Sequence, residues 1–127
     1  MSFEKVAFAF FIVMALTLNF GFFLGDIDVP AHHNVYELFA AIIISLIATI
    51  MKFGDRSQIG SYLLATSLVA DVQLVIAALI WAISVYGMKT PITPELMSSI
   101  VSLSGGALLA NVTSVVLLVI EASRVRR

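Results

Sequence analysis

The sequence contains no cysteine, which excludes disulfides, thiolate metal sites and cysteine nucleophiles. It also has few charges, because Asp, Glu, Lys and Arg make up only 12% of its 127 residues. No Gly-rich phosphate loop, HExxH motif or nucleophile elbow is present, so we predict that the protein is not an enzyme. A basic surface for nucleic acid is also absent. These absences leave transport, binding and structural functions.

Long apolar runs take the place of the missing charges, and hydrophobic residues make up 61% of the chain. A soluble domain of this size would have too little polar surface. In lipid, only helices or closed barrels satisfy their own backbone hydrogen bonds. We therefore predict an all-α integral membrane protein with short loops, organised as one domain over residues 1–127. Its four transmembrane helices are expected at approximately 3–25, 35–53, 58–86 and 94–122.

Two of these helices have alternative interpretations. The apolar part of the second, Leu38 to Met51, has only 14 residues, about 21 Å of helix for a hydrocarbon core of about 30 Å. Extension to Val35 and Phe53 makes it long enough, and a short interfacial helix is the alternative. The first run, Val6 to Leu24, is long for the hydrophobic part of a signal peptide and no A-x-A site follows, so we expect it to remain in the mature protein.

Basic residues predict the orientation. Six of the seven fall on one side of a four-helix layout and only Lys89 falls on the other. The positive-inside rule then places both termini in the cytoplasm, and we expect the bacterial inner (plasma) membrane. The six are Lys5, Lys52, Arg56, Arg124, Arg126 and Arg127.

Asp71 is the only ionisable side chain, tyrosines apart, in the 28 residues from Ile59 to Tyr86. It lies about 18 Å from the nearer end of this run, too far to reach either membrane surface. An acid at this depth usually faces a bundle interior, a water-filled cavity or a partner. Asn111 is expected at a similar depth, Asn19 at that depth or further out, and Gln73 follows Asp71 closely. We predict a polar layer and an ion pathway formed by Asp71, Asn111, Asn19 and Gln73.

A structural interpretation of the same layer remains open, in which Asp71 only bonds to Asn111, Asn19 or the Ser67 hydroxyl and thereby holds the helices together. Small residues provide surfaces for close helix packing. Ala41, Ser45 and Thr49 form one stripe on the second helix. The other predicted packing positions are Gly21, Gly25, Ser102, Gly106, Ala110 and Ser114.

Acidic residues and two histidines cluster in the outer loops. An acidic mouth concentrates cations, and carboxylate with imidazole can bind a divalent metal. Adjacent histidines lack the helical i, i+4 spacing of a zinc site, so the presence of a metal stays unknown, and a solvated polar loop is the alternative. Haem and other cofactors are not predicted. The predicted outer cation vestibule consists of Asp26, Asp28, His32, His33, Glu37 and Glu95.

Predicted helix-capping residues agree with this layout: Asn34 caps the second helix, with Glu37 turning back towards it, and Ser57 caps the third. Thr93 caps the fourth, with Pro94 at its first position. The functional prediction is a homo-oligomeric cation channel or a cation- or proton-coupled transport protein in the lipid bilayer. The alternative is a non-conducting accessory or scaffold subunit, which binds the helices of a larger membrane complex.

Overall fold

The computed structural model describes residues 3–125, and all the regular secondary structure in that range is helical. Four helices are long and apolar enough to span a membrane, which confirms the predicted four-helix architecture. We number them in chain order. They are α1 (Phe3–Phe23), α2 (Val35–Lys52), α3 (Gln58–Ala82) and α4 (Pro94–Val125). A 3₁₀ turn, Pro30–His32, precedes α2, and a π-helical turn, Ile83–Gly87, extends α3.

The predicted caps begin three of the helices. Asn34 accepts a hydrogen bond from the backbone N–H of Tyr36 at the start of α2. The Ser57 hydroxyl accepts one from Gly60 on α3, and Thr93 accepts one from Leu96 on α4. Each cap satisfies a backbone donor that the first turn of a helix leaves without a partner.

One detail of the predicted cap on α2 differs. The sequence spacing suggested that Glu37 turns back towards Asn34, but the Glu37 carboxylate lies against the backbone of α1 at Gly21. A side chain at Gly21 would collide with it. Gly21 therefore allows Glu37 to approach the neighbouring helix.

The helices form a closed bundle in which α1 contacts α2 and α4, and α3 contacts α2 and α4. The short loops make sequential neighbours antiparallel. α2 has 18 residues and packs between α1 and α3, so it belongs to the bundle. Its register against α3 places its middle beside Asp71.

Two apolar clusters lie inside the bundle, one towards each end. The first is centred on Phe22, Leu38, Leu74, Met97 and Ile100. The second is formed by Phe8, Ile12, Ala48 and Leu63.

Large apolar side chains also cover the outside of the bundle, among them Phe10, Val72 and Leu109, which are 57%, 57% and 69% exposed. Such a surface suits contact with lipid and would be a liability in water.

Candidate functional site

Asp71 lies inside the bundle and is only 5% exposed. The Ser45 hydroxyl donates a hydrogen bond of 2.6 Å to its Oδ1 atom. The hydroxyl of Thr49 lies 2.5 Å from its Oδ2 atom. Ser45 and Thr49 are one turn apart on α2, so both hydroxyls face α3. The carboxyl group is therefore held by two neutral side chains of one neighbouring helix.

No basic side chain is close enough to pair with Asp71 among the described residues, because the neighbouring helices carry their ionisable groups at their ends. The basic residue of α2, the helix that supplies both hydroxyls, is Lys52 on its last turn. Its ammonium group lies 4.3 Å from the centre of the Phe8 ring. It also lies 3.6 Å from the carboxylate of Asp55. Lys52 is thus engaged at the end of the bundle, and Asp71 keeps an uncharged environment.

Asn111 reaches the same level from α4. The contacts between α3 and α4 show this: Thr66 Oγ1 lies 2.6 Å from Ser114 Oγ, and the Gln73 amide lies against Gly106. Because α3 and α4 are antiparallel, the numbers of two residues at the same level add up to a constant, which is about 180 for these pairs. By this rule Asn111 lies between the levels of Ser67 and Asp71. At 1.5 Å per residue, its height differs from that of Asp71 by about 3 Å. The predicted common level of Asp71 and Asn111 therefore agrees with this register.

Asn111 and Ser67 are fully buried without hydrogen bonds from their side chains. Both polar atoms of the Asn111 amide and the Ser67 hydroxyl oxygen are buried and have no partner among the described residues. Leaving such a group unsatisfied costs roughly 1 to 3 kcal/mol. Native proteins retain such groups where a water, an ion or a function uses them. These atoms are therefore buried polar groups near the level of Asp71 that lack a protein partner among the described residues.

Asn19 forms a separate connection between α1 and α4, at another level of the bundle. Its amide donates to the backbone oxygen of Ser104 at 3.1 Å, and the Ser104 hydroxyl donates to its Oδ1 atom at 2.5 Å. This pair joins α1 to α4. By the α3–α4 register it lies about 8 Å from Asp71 along the bundle. Asn19 is therefore bound to α4 and does not contact Asp71.

Gln73, also predicted for the ion pathway, packs against α4. Its amide is so close to Gly106 that a side chain at that glycine would collide with it. The Gln73 Oε1 atom is buried and has no partner among residues 3–125. Gly106 thus makes room for a polar side chain that lies between Asp71 and the Asn19–Ser104 pair in height.

The other predicted packing residues are found in different settings. Ala110 and Ser114 are buried between helices, whereas Ser102 is exposed. Gly25 lies beyond the end of α1, in a turn, with a φ of +101°. This backbone conformation favours glycine, and a side chain there would also meet His32. Gly25 consequently shapes the loop between α1 and α2.

The predicted outer vestibule is only partly assembled. Asp26, Asp28 and Glu95 are exposed, and Glu37 is half-buried against α1. Within residues 3–125, no three His, Asp or Glu side chains are grouped so that they could hold a metal ion. The acidic residues remain a source of negative potential at this end of the bundle.

The two adjacent histidines have different partners. The His33 ring is buried, and its nitrogens lie 2.6 Å from the Phe22 carbonyl oxygen and 2.7 Å from that of Asp26. Carbonyls only accept, so both contacts are hydrogen bonds when the ring carries two protons. His32 Nδ1 instead accepts from the backbone N–H of Asp26 at 2.9 Å. To accept this bond, the Nδ1 atom must carry no proton. The 3.9 Å distance between His32 Nδ1 and the Asp26 carboxylate is therefore not an ion pair in this arrangement.

Replacing His33 with phenylalanine is expected to lower the free energy of unfolding by about 1 to 2 kcal/mol. The variant keeps a ring against Phe22 but loses both bonds that join α1 to the outer loop. Water at the membrane surface can replace part of this loss, which limits the effect. Thermal unfolding in detergent measures it, with His32→Phe as the matched control. Equal stability of His33→Phe and wild type would show that the two bonds are not formed in solution.

The turn between α2 and α3 is organised by Asp55. Its carboxylate accepts hydrogen bonds from the Ser57 hydroxyl at 2.7 Å and the Ser57 backbone N–H at 3.0 Å. These bonds, with a smaller contribution from the Lys52 charge, hold the pKa of Asp55 below its ordinary value. The absence of a side chain at Gly60 leaves room for this carboxylate.

Asp55→Asn is expected to destabilise the protein at neutral pH by at most about 1 kcal/mol, because solvent screens this partly exposed group. Since folding lowers the pKa of Asp55, its ionised form stabilises the fold above the ordinary carboxylate range. This contribution disappears as the pH falls through the lowered pKa. The difference in unfolding temperature between wild type and variant should therefore shrink below about pH 4. A difference independent of pH between 7 and 3 would contradict this role.

Several polar residues of the site have no distinctive signal in the sequence. Ser45 and Thr49 were interpreted only as small packing residues, although two hydroxyls at i, i+4 near the middle of a transmembrane helix suit a partner acid. Thr66 and Ser104 were not predicted at all. Their partners lie 48 and 85 residues away along the chain, so only the helix register reveals them.

The fold and the buried polar layer place the protein in the class of four-helix bundles with membrane-spanning helices and one interior acid. Residues 32–122 match a family of unknown function, DUF6394. The match covers more than half of the chain, which therefore belongs to this family. No curated protein and no solved structure matches the sequence.

Proposed function

We propose that the protein is a membrane transport protein that moves a cation or a proton, with Asp71 as the group that binds it. The observation that carries this proposal is a buried carboxyl group between two hydroxyls, near the level of an amide and a hydroxyl that have no partner among residues 3–125. A structural layer would be expected to satisfy its own polar atoms. An intramembrane acid in such surroundings favours a substrate or ion pathway.

The position of Asp71 also affects how copies of the chain would be arranged in a homo-oligomer. Asp71 faces α2 inside a single chain, so each copy of a homo-oligomer would carry its own site. An axis shared by several copies would be lined by other residues. Self-association remains part of the proposal, since closed symmetric assembly is the usual arrangement of small subunits.

The proposed location is the bacterial inner membrane with both termini in the cytoplasm, as the distribution of basic residues predicts. The exposed acidic residues of the outer loops, Asp26, Asp28 and Glu95, would then face the outside. There they would raise the local concentration of cations.

Ion flux into liposomes that contain the purified protein tests this function. Potassium, sodium, calcium and proton gradients are applied in turn, and protein-free liposomes are the control. We expect flux of at least one cation or of protons above the control. No flux with a folded protein would contradict the proposal and favour the accessory-subunit alternative. Co-purification with a larger membrane partner would support that alternative further.

A further inference from the structure

The number of hydrogen bonds around Asp71 can be compared with the number of protons available to form them. Three oxygen contacts join the group: Ser45 to Asp71 at 2.6 Å, Thr49 to Asp71 at 2.5 Å, and Thr49 to the backbone oxygen of Ser45 at 2.9 Å. Each hydrogen bond requires a proton, but the two hydroxyls supply only two. If the three bonds are separate and no proton is shared, the third proton comes from Asp71 in its protonated form. It donates to Thr49, Thr49 donates to the Ser45 carbonyl, and the Ser45 hydroxyl donates to Asp71.

The surroundings of Asp71 favour a site without net charge, both with a proton bound and with a cation bound. The ionisable residues of the neighbouring helices are at the helix ends: Glu4 and Lys5 on α1, Glu37 and Lys52 on α2, and Glu95, Glu121 and Arg124 on α4. The groups that face Asp71 from α2 are hydroxyls, and an amide lies at its level on α4. A proton or one monovalent cation balances a single carboxylate, whereas a divalent cation would leave a net positive charge in the bundle.

From these observations we infer that the site exchanges the Asp71 proton for one alkali cation, coordinated by the Asp71 carboxylate, Ser67 Oγ and Asn111 Oδ1. The inference rests on the proposed function and names its substrate class. All three ligands are oxygens, which hard cations prefer. The step is balanced: the neutral carboxyl group and the cation yield the ion-paired carboxylate and one free proton. Ser45 and Thr49 then both donate to the carboxylate.

Proton release measures this exchange directly. Purified protein in weakly buffered detergent solution is titrated with sodium, lithium or potassium chloride, and choline chloride is the control. We expect up to one proton per chain with at least one alkali cation and none with choline. Asp71→Asn should release none. A folded wild-type protein that releases no proton with any alkali cation would overturn the inference.

The Asn111→Leu variant separates the effect of Asn111 on cation binding from its effect on stability. Because the amide has no partner in the described part of the chain, leucine should leave the unfolding temperature unchanged or raise it. The cation concentration for half-maximal proton release should nevertheless rise at least about tenfold, for the loss of one ligand. Thr113→Ala, an exposed position on the same helix, is the control and should leave this concentration unchanged. An unchanged value in Asn111→Leu would show that the amide binds only water, and would overturn the inference.

The ion-flux and proton-release experiments distinguish failure of the transport proposal from failure of the proposed proton–cation exchange. Proton flux in liposomes without cation-linked release would leave the transport proposal standing and remove the exchange. Cation-linked release from a protein that shows no flux would support the binding site and remove transport.

Discussion

Replacing Asp71 with asparagine is expected to reduce ion flux to the rate of protein-free liposomes. Asparagine has nearly the same shape and can still bond with Ser45 and Thr49. It cannot lose a proton or balance a cation, however, so the charge-dependent step disappears. The fold should be retained because the polar partners remain satisfied. Flux under the gradient that drives the wild-type protein measures the effect, and size-exclusion chromatography verifies the folded state.

Two further variants make this result specific. Val72→Ala lies next to Asp71 in the sequence but faces outwards, and flux should stay near the wild-type rate. Asp71→Glu keeps the charge and moves it by one methylene, so partial flux is expected. Full activity in a folded Asp71→Asn protein would rule out an ionisable group in the pathway and support the structural interpretation of the layer.

The second large effect concerns stability. Asn19→Leu is expected to lower the free energy of unfolding by about 2 to 4 kcal/mol. The substitution removes two hydrogen bonds between α1 and α4 and leaves the Ser104 hydroxyl buried without its partner. The bulk of the side chain is largely kept, so the loss reports mainly on the bonds. Thermal or denaturant-induced unfolding in detergent measures it.

A double-mutant cycle tests whether the two residues act as a pair. Ser104→Ala in the Asn19→Leu background removes the stranded hydroxyl and should recover part of the lost stability. Additive effects of the two substitutions would contradict the reciprocal bond. Flux should change less than in Asp71→Asn, because the Asn19–Ser104 pair lies outside the layer of Asp71.

Hydrophobicity and charge predicted the architecture well because the membrane imposes a simple rule. A long apolar segment must form a helix to satisfy its backbone, whatever its neighbours are. Caps such as Asn34, Ser57 and Thr93 are also local, since their partners lie two or three residues away. The depth of Asp71 and Asn111 followed from their distances to the helix ends, because the rise per residue of a helix is constant.

The sequence by itself therefore determined four spanning helices and an acid near the middle of the third. Only the tertiary structure decided that Asp71 bonds to Ser45 and Thr49, that Asn19 pairs with Ser104, and that the Asn111 amide has no partner within residues 3–125. The physical reason is that hydropathy sets the depth of a residue but not the rotation of its helix. Rotation and register are set by packing, where Glu37 lies against Gly21 and Gln73 against Gly106.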